Sequence, residues 1–276
     1  MPRVSYLGGK VGTPLIKSTD VITYFLGMAK ILLGHEESQA VCKAFREMGD
    51  EAYSCDLKPC SGGHPEWHLQ MDIFQAIALG GWDAAIFFPD CTYLTVSGLH
   101  WNKRIPGRAE KTEKALHHVK RLMNCEIKYK GIENPVGCIS TRIFRYVGNI
   151  GSERWEVFPR KIDFGGRQPD QIIQPYNFGE DASKKTCLWL DNLPPLKNTE
   201  YYPPRIIDGK KRWGNQTDSG QNKLTPSDNR AEFRSKTYLG IAQAMVKLWS
   251  PIINGFEKPD DGGQKNKLWA ICIGFD

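Results

Sequence analysis

The chain has 276 residues, of which 40% are hydrophobic and 25% are charged, and its formal net charge is +6. This length suits one large α/β domain, or one domain with a small appendage, and the composition is ordinary for a globular protein. No apolar run approaches the roughly 20 residues of a membrane helix, and residues 1–27 lack the apolar core of a signal peptide. We therefore predict no membrane partner, a poorly structured leader over residues 1–27, and Met28 as a candidate natural start.

The first recognisable structural unit follows this leader. Residues 30–34 form a short apolar run that ends in glycine, which predicts a buried strand. Residues 38–48 place apolar side chains at helical spacing, which predicts a helix. Residues 51–55 then predict a second strand with Asp56 at its end. A strand, a helix, a strand and an acid within so short a stretch are the opening of a nucleotide-type α/β fold.

The rest of the chain alternates between strand and helix patterns. We predict strands at residues 82–88, 129–132, 171–174 and 186–190, and helices at residues 108–124 and 238–249. This alternation predicts an α/β fold with a doubly wound, mostly parallel sheet. The strand at 186–190 is predicted as an antiparallel edge strand, which such sheets often carry.

Two stretches fit neither pattern and interrupt the predicted domain, which spans residues 28–250. Residues 142–167 mix glycine, aromatic and charged residues without a period, and we interpret them as an inserted loop or small subdomain. Residues 192–235 are rich in Pro, Gly, Asn and basic residues, which is typical of a functional polar loop. Residues 251–276 are predicted to form a loose tail.

Basic residues are concentrated in two parts of the chain. Nine Lys or Arg face three Glu and no Asp between residues 103 and 130, and eleven face six acids between residues 184 and 236. Such stretches favour a polyanion as partner, although a solvated lysine-rich surface has the same composition. A cluster suited to phosphate contact and base stacking, with a solvated turn as the alternative, comprises Lys210, Lys211, Arg212 and Trp213.

The eight cysteines show no regular disulfide framework, and several lie in apolar strand or helix patterns. Reduced thiols of this kind are typical of a cytoplasmic protein. Cys55, Cys60, His64 and His68 have spacings that could suit zinc. Because these gaps match no common zinc pattern, we predict a solvated loop and no metal.

Two turns at strand ends carry the candidate chemistry. One strand leads into Pro89-Asp90-Cys91, and another leads into Glu133-Asn134-Pro135. The carboxyl end of a parallel strand gives a nucleophilic thiolate a rigid, exposed position. A carboxyl group on a neighbouring strand end can polarise the ring that the thiolate attacks. The alternatives are a buried structural cysteine and a surface glutamate before a turn.

A proline–cysteine turn followed by Glu-Asn, in this order, resembles the catalytic pair of the cytosine-5 DNA methyltransferases. The resemblance covers roughly residues 30–249, and it implies methyl transfer from S-adenosylmethionine to carbon 5 of cytosine in DNA. Cys91 would attack carbon 6 of a cytosine flipped out of the duplex, and Glu133 would hydrogen-bond ring nitrogen 3 and the exocyclic amine. Recognition would come from the polar loop at 192–235, and no stable protein partner is implied. The alternatives are an RNA or pyrimidine-nucleotide methyltransferase, and a non-catalytic nucleic-acid-binding relative.

The sequence departs from the family pattern at two places. Asp90 stands where the family carries a second proline. A carboxylate there would raise the pKa of the neighbouring thiol and slow its attack, unless Asp90 points away or is paired with a lysine. Asp90 could instead act as a base, orient the substrate or mark a catalytically weakened relative. Lys184 and Lys185 open a late strand where the family has Gln-x-Arg-x-Arg, and Lys185 could supply the positive charge without the arginine fork.

The resemblance also implies a cofactor site at the carboxyl edge of the sheet. Asp56 would bind the ribose hydroxyls, as the acid after the second strand does in dinucleotide folds. Asp72 resembles the family's acid that faces the adenine amine. The predicted cofactor contacts are Gly34, Glu36, Ser38, Asp56, Asp72 and Pro89. The alternative for each acid is a helix cap or a turn.

Overall fold

The computed structural model of the protein describes residues 28–147, 153–158, 166–224 and 236–256. The predicted leader lies outside these residues, as do parts of the two predicted insertions and most of the predicted tail. In the described part of the chain, no helix is long and apolar enough to cross a membrane. The cysteines in these ranges form no disulfide.

The described residues form eleven strands and six α-helices, with three short 3-10 helices between them. The strands are β1 (Lys30–Gly34), β2 (Glu51–Asp56), β3 (His68–Gln70), β4 (Ala84–Phe87), β5 (Tyr129–Pro135), β6 (Ile143–Val147), β7 (Glu153–Val157), β8 (Gln171–Ile173), β9 (Thr186–Asp191), β10 (Arg205–Ile207) and β11 (Lys210–Arg212). The helices are α1 (Ala40–Glu47), α2 (Ile73–Ala78), α3 (Val96–Leu99), α4 (Arg108–Met123), α5 (Ile139–Arg142) and α6 (Leu239–Ile253).

Seven strands form the central sheet, in the order β3-β2-β1-β4-β5-β9-β8. Strands β1 to β5 run parallel to one another, and β9 runs antiparallel to both β5 and β8. This doubly wound sheet with one reversed strand is the Rossmann-like fold of the methyltransferase type, so the predicted fold class is confirmed. The winding direction reverses between β1 and β4, and in such sheets ligands bind beyond the carboxyl ends of the strands at that reversal.

The strand predicted at the sheet edge lies inside the sheet. β9 pairs with β5 from Asp191 opposite Lys130 to Thr186 opposite Pro135, and β8 covers its other side. The antiparallel direction is confirmed, but the edge position is wrong because the three-residue strand β8 takes the edge. All of β9 except its last residue is buried, as expected for an interior strand covered on both faces.

Helices cover both faces of this sheet. Along β1, Ile31 and Leu33 belong to the core on one face and Leu32 to the core on the other, as alternation along a strand requires. The first core includes α1 and α6, with Phe45 of α1 fully buried. The second includes α2 and α4, with Leu116 of α4 fully buried. The apolar stripe predicted for the helix at 108–124 is the face that α4 buries.

The sequence patterns missed the shortest elements. β3 has three residues and α2 has six, which is too short for a hydrophobic period to emerge. The predicted insertion at 142–167 contains the antiparallel pair β6–β7, and the polar loop at 192–235 contains the antiparallel pair β10–β11. Both pairs are small ribbons outside the central sheet.

Candidate functional site

The cysteine turn begins where β4 ends, at the reversal point of the sheet. Cys91 is partly exposed, and its carbonyl accepts hydrogen bonds from the backbone N–H groups of Leu94 and Thr95, at 3.0 and 3.1 Å. Asp90 is exposed, and its Oδ1 accepts the backbone N–H of Thr92 at 2.9 Å and the Thr92 hydroxyl at 2.6 Å. The carboxylate therefore closes a tight side-chain turn around the cysteine.

Glu133 lies inside β5 and not beyond its end, because the strand continues to Pro135 and pairs there with β9. Its side chain is only 12% exposed, and Nζ of Lys184 lies 4.0 Å from its Oε1. Burial raises the pKa of the Glu133 carboxyl, while the Lys184 charge and a hydrogen bond from Thr186 act to lower it. A carboxyl in such surroundings retains its proton more readily than an exposed one, which suits a hydrogen-bond donor.

Asn134 connects the glutamate strand to the cysteine turn. Its Nδ2 donates a 2.8 Å hydrogen bond to the carbonyl oxygen of Pro89. The side chain is 1% exposed, and its Oδ1 is buried without a hydrogen-bond partner among the described residues. Because β4 and β5 are adjacent, with Phe87 opposite Ile132, the cysteine turn and the Glu133 end of β5 lie side by side at one edge of the sheet.

The structure brings Lys184, and not its neighbour Lys185, close to Glu133. Lys184 approaches the carboxylate, whereas Lys185 is exposed. Thr186, two residues after Lys184, is buried and also bonds Glu133. Side chains two apart along an extended chain share one face, so the alternation around Thr186 was the signal that could have identified Lys184.

The first turn after β1 is shaped by packing and by a helix cap. At Gly34 an added Cβ would stand 2.6 Å from side-chain atoms of Ile73 and Phe87, so glycine is required for close packing. Glu36 is 4% exposed and accepts the backbone N–H groups of Val41 and Cys42, at 2.5 and 3.1 Å. Its carboxylate therefore caps α1, which is the alternative weighed for the acids. Burial raises the pKa of Glu36 to about 8.

The remaining predicted cofactor residues lie along the carboxyl edge of the sheet. Asp56 ends β2, next to β1, and its Oδ1 accepts the backbone N–H of Lys58 at 2.9 Å. Asp72 follows β3 and caps α2 by accepting the backbone N–H of Phe74 at 2.9 Å. Ser38, partly exposed, lies just before α1, and Pro89 follows β4. Four neighbouring strands thus bring these residues to one edge.

A histidine pair at the first turn was not predicted. His35 has a left-handed φ of 62°, and its Nε2 lies 2.8 Å from Nε2 of His118 on α4. Burial is the main cause that lowers the pKa of His35 to about 4, and the neighbouring His118 lowers it further. Burial also lowers the pKa of His118. Two neutral imidazoles can share this hydrogen bond, since one donates and the other accepts. The sequence offered no signal, because 83 residues separate the two side chains.

In and just after the basic hairpin β10–β11, two predicted phosphate-binding lysines are exposed, whereas the predicted base-stacking tryptophan is buried. Lys210 and Lys211 are exposed, and the Arg212 guanidinium donates to the Asp218 carbonyl at 2.9 Å. Trp213 is 7% exposed, stacks on Tyr176 at 4.1 Å between ring centroids and donates to the Tyr202 carbonyl. The prediction that Trp213 stacks on a base is wrong for this conformation, because its ring is already packed in the interior.

The alternative zinc cluster is dispersed. The Cys55 thiol is buried and donates to the Met71 carbonyl, His64 stacks on Trp67, and both ring nitrogens of His68 bond other groups. In the part of the chain that the structure covers, no three His, Cys, Asp or Glu side chains are grouped to hold a metal ion.

No family model matches this chain, and no curated protein is similar to it in sequence. Among known structures, it is similar to a candidate DNA modification methyltransferase encoded within a prophage of E. coli. The identity is 10% and the TM-score is 0.35, and the match covers 66% of this chain and 54% of that one. The chain thus spans about half the length of that protein, and the strand order itself, not this likeness, defines the fold.

Proposed function

We propose that this protein transfers a methyl group from S-adenosylmethionine to carbon 5 of cytosine in DNA. The observation that carries the proposal is the hydrogen bond from Asn134 to Pro89, which holds the Cys91 turn beside the Glu133 strand. A thiol and a protonation-prone carboxyl at the carboxyl edge of neighbouring strands are the two groups that such a reaction needs.

In the proposed mechanism, Cys91 acts as the nucleophile and Glu133 as the hydrogen-bond donor. The Cys91 thiol loses its proton to solvent, and Sγ bonds carbon 6 while the electron pair of the 5,6 double bond moves to carbon 5. A proton shared between Glu133 and ring nitrogen 3 stabilises the charge that develops on the ring. Carbon 5 would then accept the methyl group as the bond from that methyl to the cofactor's sulfur breaks, which leaves S-adenosylhomocysteine. Loss of the carbon 5 proton to solvent and departure of Sγ would restore the double bond and the free thiolate.

The cofactor contacts are proposed for the residues whose geometry fits them. Asp56, at the end of β2, would bind the ribose hydroxyls, and Asp72 and Pro89 would flank the adenine. S-adenosylmethionine supplies an electrophilic methyl group when bound. Glu36 caps α1 with both of its oxygens, so it would support the turn from beneath without touching the cofactor.

The nucleic-acid contacts are proposed for basic residues that follow Lys184 in the sequence. Lys185, Lys210 and Lys211 are exposed, and Arg212 is held by Asp218. These side chains would bind phosphates around a cytosine that has been flipped into the site.

Isotope transfer tests the proposal directly. The protein and labelled S-adenosylmethionine are incubated in parallel reactions with DNA, with RNA and with pyrimidine nucleotides. We expect label in DNA, and DNA carrying 5-fluorocytosine should trap the wild-type protein covalently. Cys91→Ser should abolish both, whereas Cys125→Ser, at another partly exposed cysteine, should leave both unchanged.

The other outcomes assign the alternative functions. Label only in RNA or in nucleotides would move the proposal to that substrate. Nucleic-acid binding without any label transfer would identify a non-catalytic relative of this fold. Normal turnover by Cys91→Ser would remove Cys91 as the nucleophile.

A further inference from the structure

An exposed apolar surface lies directly beside the cysteine turn. We name it the Trp101 patch; it comprises Val96, Trp101, Ile105 and Val136, which are 62, 41, 46 and 38% exposed. Backbone hydrogen bonds join its members in pairs, from Val96 N–H to the Val136 carbonyl and from Ile105 N–H to the Trp101 carbonyl. Single exposed apolar residues are ordinary, but a group of them beside a reactive thiol marks an interaction surface.

The segment that carries this patch is anchored to the cysteine turn. Nη2 of Arg108 donates to the Thr92 carbonyl at 3.0 Å, and the Thr112 hydroxyl donates to the Tyr93 carbonyl at 3.0 Å. At Gly98 an added Cβ would lie 2.5 Å from the Thr92 oxygen, so only glycine allows α3 to pack so closely. Residues on both sides of Trp101 in the sequence are therefore joined to the cysteine turn.

The charge around the patch indicates the chemistry of its partner. Residues 92–109 contain Lys103, Arg104 and Arg108 and no Asp or Glu, although Asp90 and Glu110 lie just outside this stretch. The Arg104 guanidinium lies 5.5 Å from the centroid of the Trp101 ring. An exposed indole with cations around it matches a nucleic-acid strand, whose bases stack on aromatic rings and whose phosphates bind cations.

We propose that the Trp101 patch is a second nucleic-acid contact, in which Trp101 stacks on a base next to the one presented to Cys91. Lys103 and Arg104 bind the flanking phosphates. The inference rests on the proposed function, because it requires that a nucleic acid reach the cysteine turn. The contact does not read sequence, because every base offers a π-face to the indole.

Binding of a fluorescent DNA duplex and of the matching single strand, measured by anisotropy at several salt concentrations, tests the proposal. Trp101→Ala should weaken binding about five- to hundredfold without changing the salt slope, since stacking releases no counterions. Trp101→Phe should retain most of the affinity. Lys103→Gln and Arg104→Gln should each lower the salt slope by about 1.

The control is Phe256→Ala, which removes an aromatic ring exposed by 43% just after the end of α6. It should bind like the wild type. If the wild type binds DNA and transfers methyl groups while Trp101→Ala binds equally well, the patch proposal is overturned and the proposed function stands. If the wild type binds no nucleic acid, both are overturned. A concentration-dependent dimer that Trp101→Ala abolishes would assign the patch to a second copy of the chain and also overturn the proposal.

Discussion

The side-chain amide of Asn134 donates a 2.8 Å hydrogen bond to the carbonyl of Pro89, and Asn134 is only 1% exposed. Asn134 directly follows Glu133, and Pro89 precedes Cys91 by two residues. One buried hydrogen bond therefore couples the positions of the two groups proposed to act on the substrate ring. A buried bond of this kind costs more to break than it contributes on formation, because the abandoned carbonyl stays desolvated.

Asn134→Leu should therefore destabilise the fold and misplace the cysteine turn. We expect a loss of about 1–3 kcal/mol in the free energy of unfolding, measured by urea titration, and slower covalent trapping by DNA carrying 5-fluorocytosine. Asn198→Leu is the control, because the Asn198 side chain is exposed. An Asn134→Leu protein with wild-type trapping would show that the bond does not position the thiol.

Asp90→Asn separates the charge of Asp90 from its role in the turn. Asparagine keeps the oxygen that accepts the two bonds from Thr92 but removes the negative charge beside the thiol. Removal of a like charge lowers the pKa of a thiol, so the pH optimum of methyl transfer should shift downward. A pH–rate profile of both proteins measures this shift. A variant that is slower at every pH would instead make Asp90 a proton carrier or a substrate contact.

Lys184→Gln should extend methyl transfer to higher pH, because Glu133 would keep its proton further. Burial raises the pKa of the Glu133 carboxyl and the Lys184 charge lowers it, so removal of that charge allows the carboxyl to keep its proton further into alkaline conditions. The alkaline limb of the pH–rate profile should therefore move upward. Lys185→Gln is the matched control and should leave the limb in place, because this neighbour is exposed. Equal shifts in both variants would indicate a general charge effect and not the Lys184 contact.

Glu36 should make the stability of the protein fall as the pH rises. Burial raises the pKa of this carboxyl from 4.5 to about 8, so the folded state binds a proton that the unfolded state has released. The stabilisation is full below about pH 4.5 and is lost as the pH approaches 8; complete loss corresponds to about 5 kcal/mol. Glu36→Gln, which keeps an oxygen to cap α1, should remove this dependence in urea unfolding at pH 5, 7 and 9. Parallel pH curves for the two proteins would contradict the assignment.

The sequence by itself determined the main elements and the pairing of the two candidate turns. β1 and α4 follow from apolar spacing, because that spacing depends only on near neighbours in the chain. The antiparallel direction of β9 follows from the reversed strand that mostly parallel sheets of this class often carry. The order of Cys91 and Glu133 on successive strands also placed them at one sheet edge, since parallel neighbouring strands end on the same side. The role of each residue in catalysis stays a prediction.

The tertiary structure decided which side chains are available at that edge. Glu36 caps α1, Trp213 packs on Tyr176, and Lys184, not the exposed Lys185, approaches Glu133. Sequence patterns also could not predict the interior position of β9 or the contact between His35 and His118. Each of these depends on the distance or packing between groups that the fold brings together, and local periodicity carries no information about which neighbour fills a given space or satisfies a given hydrogen bond.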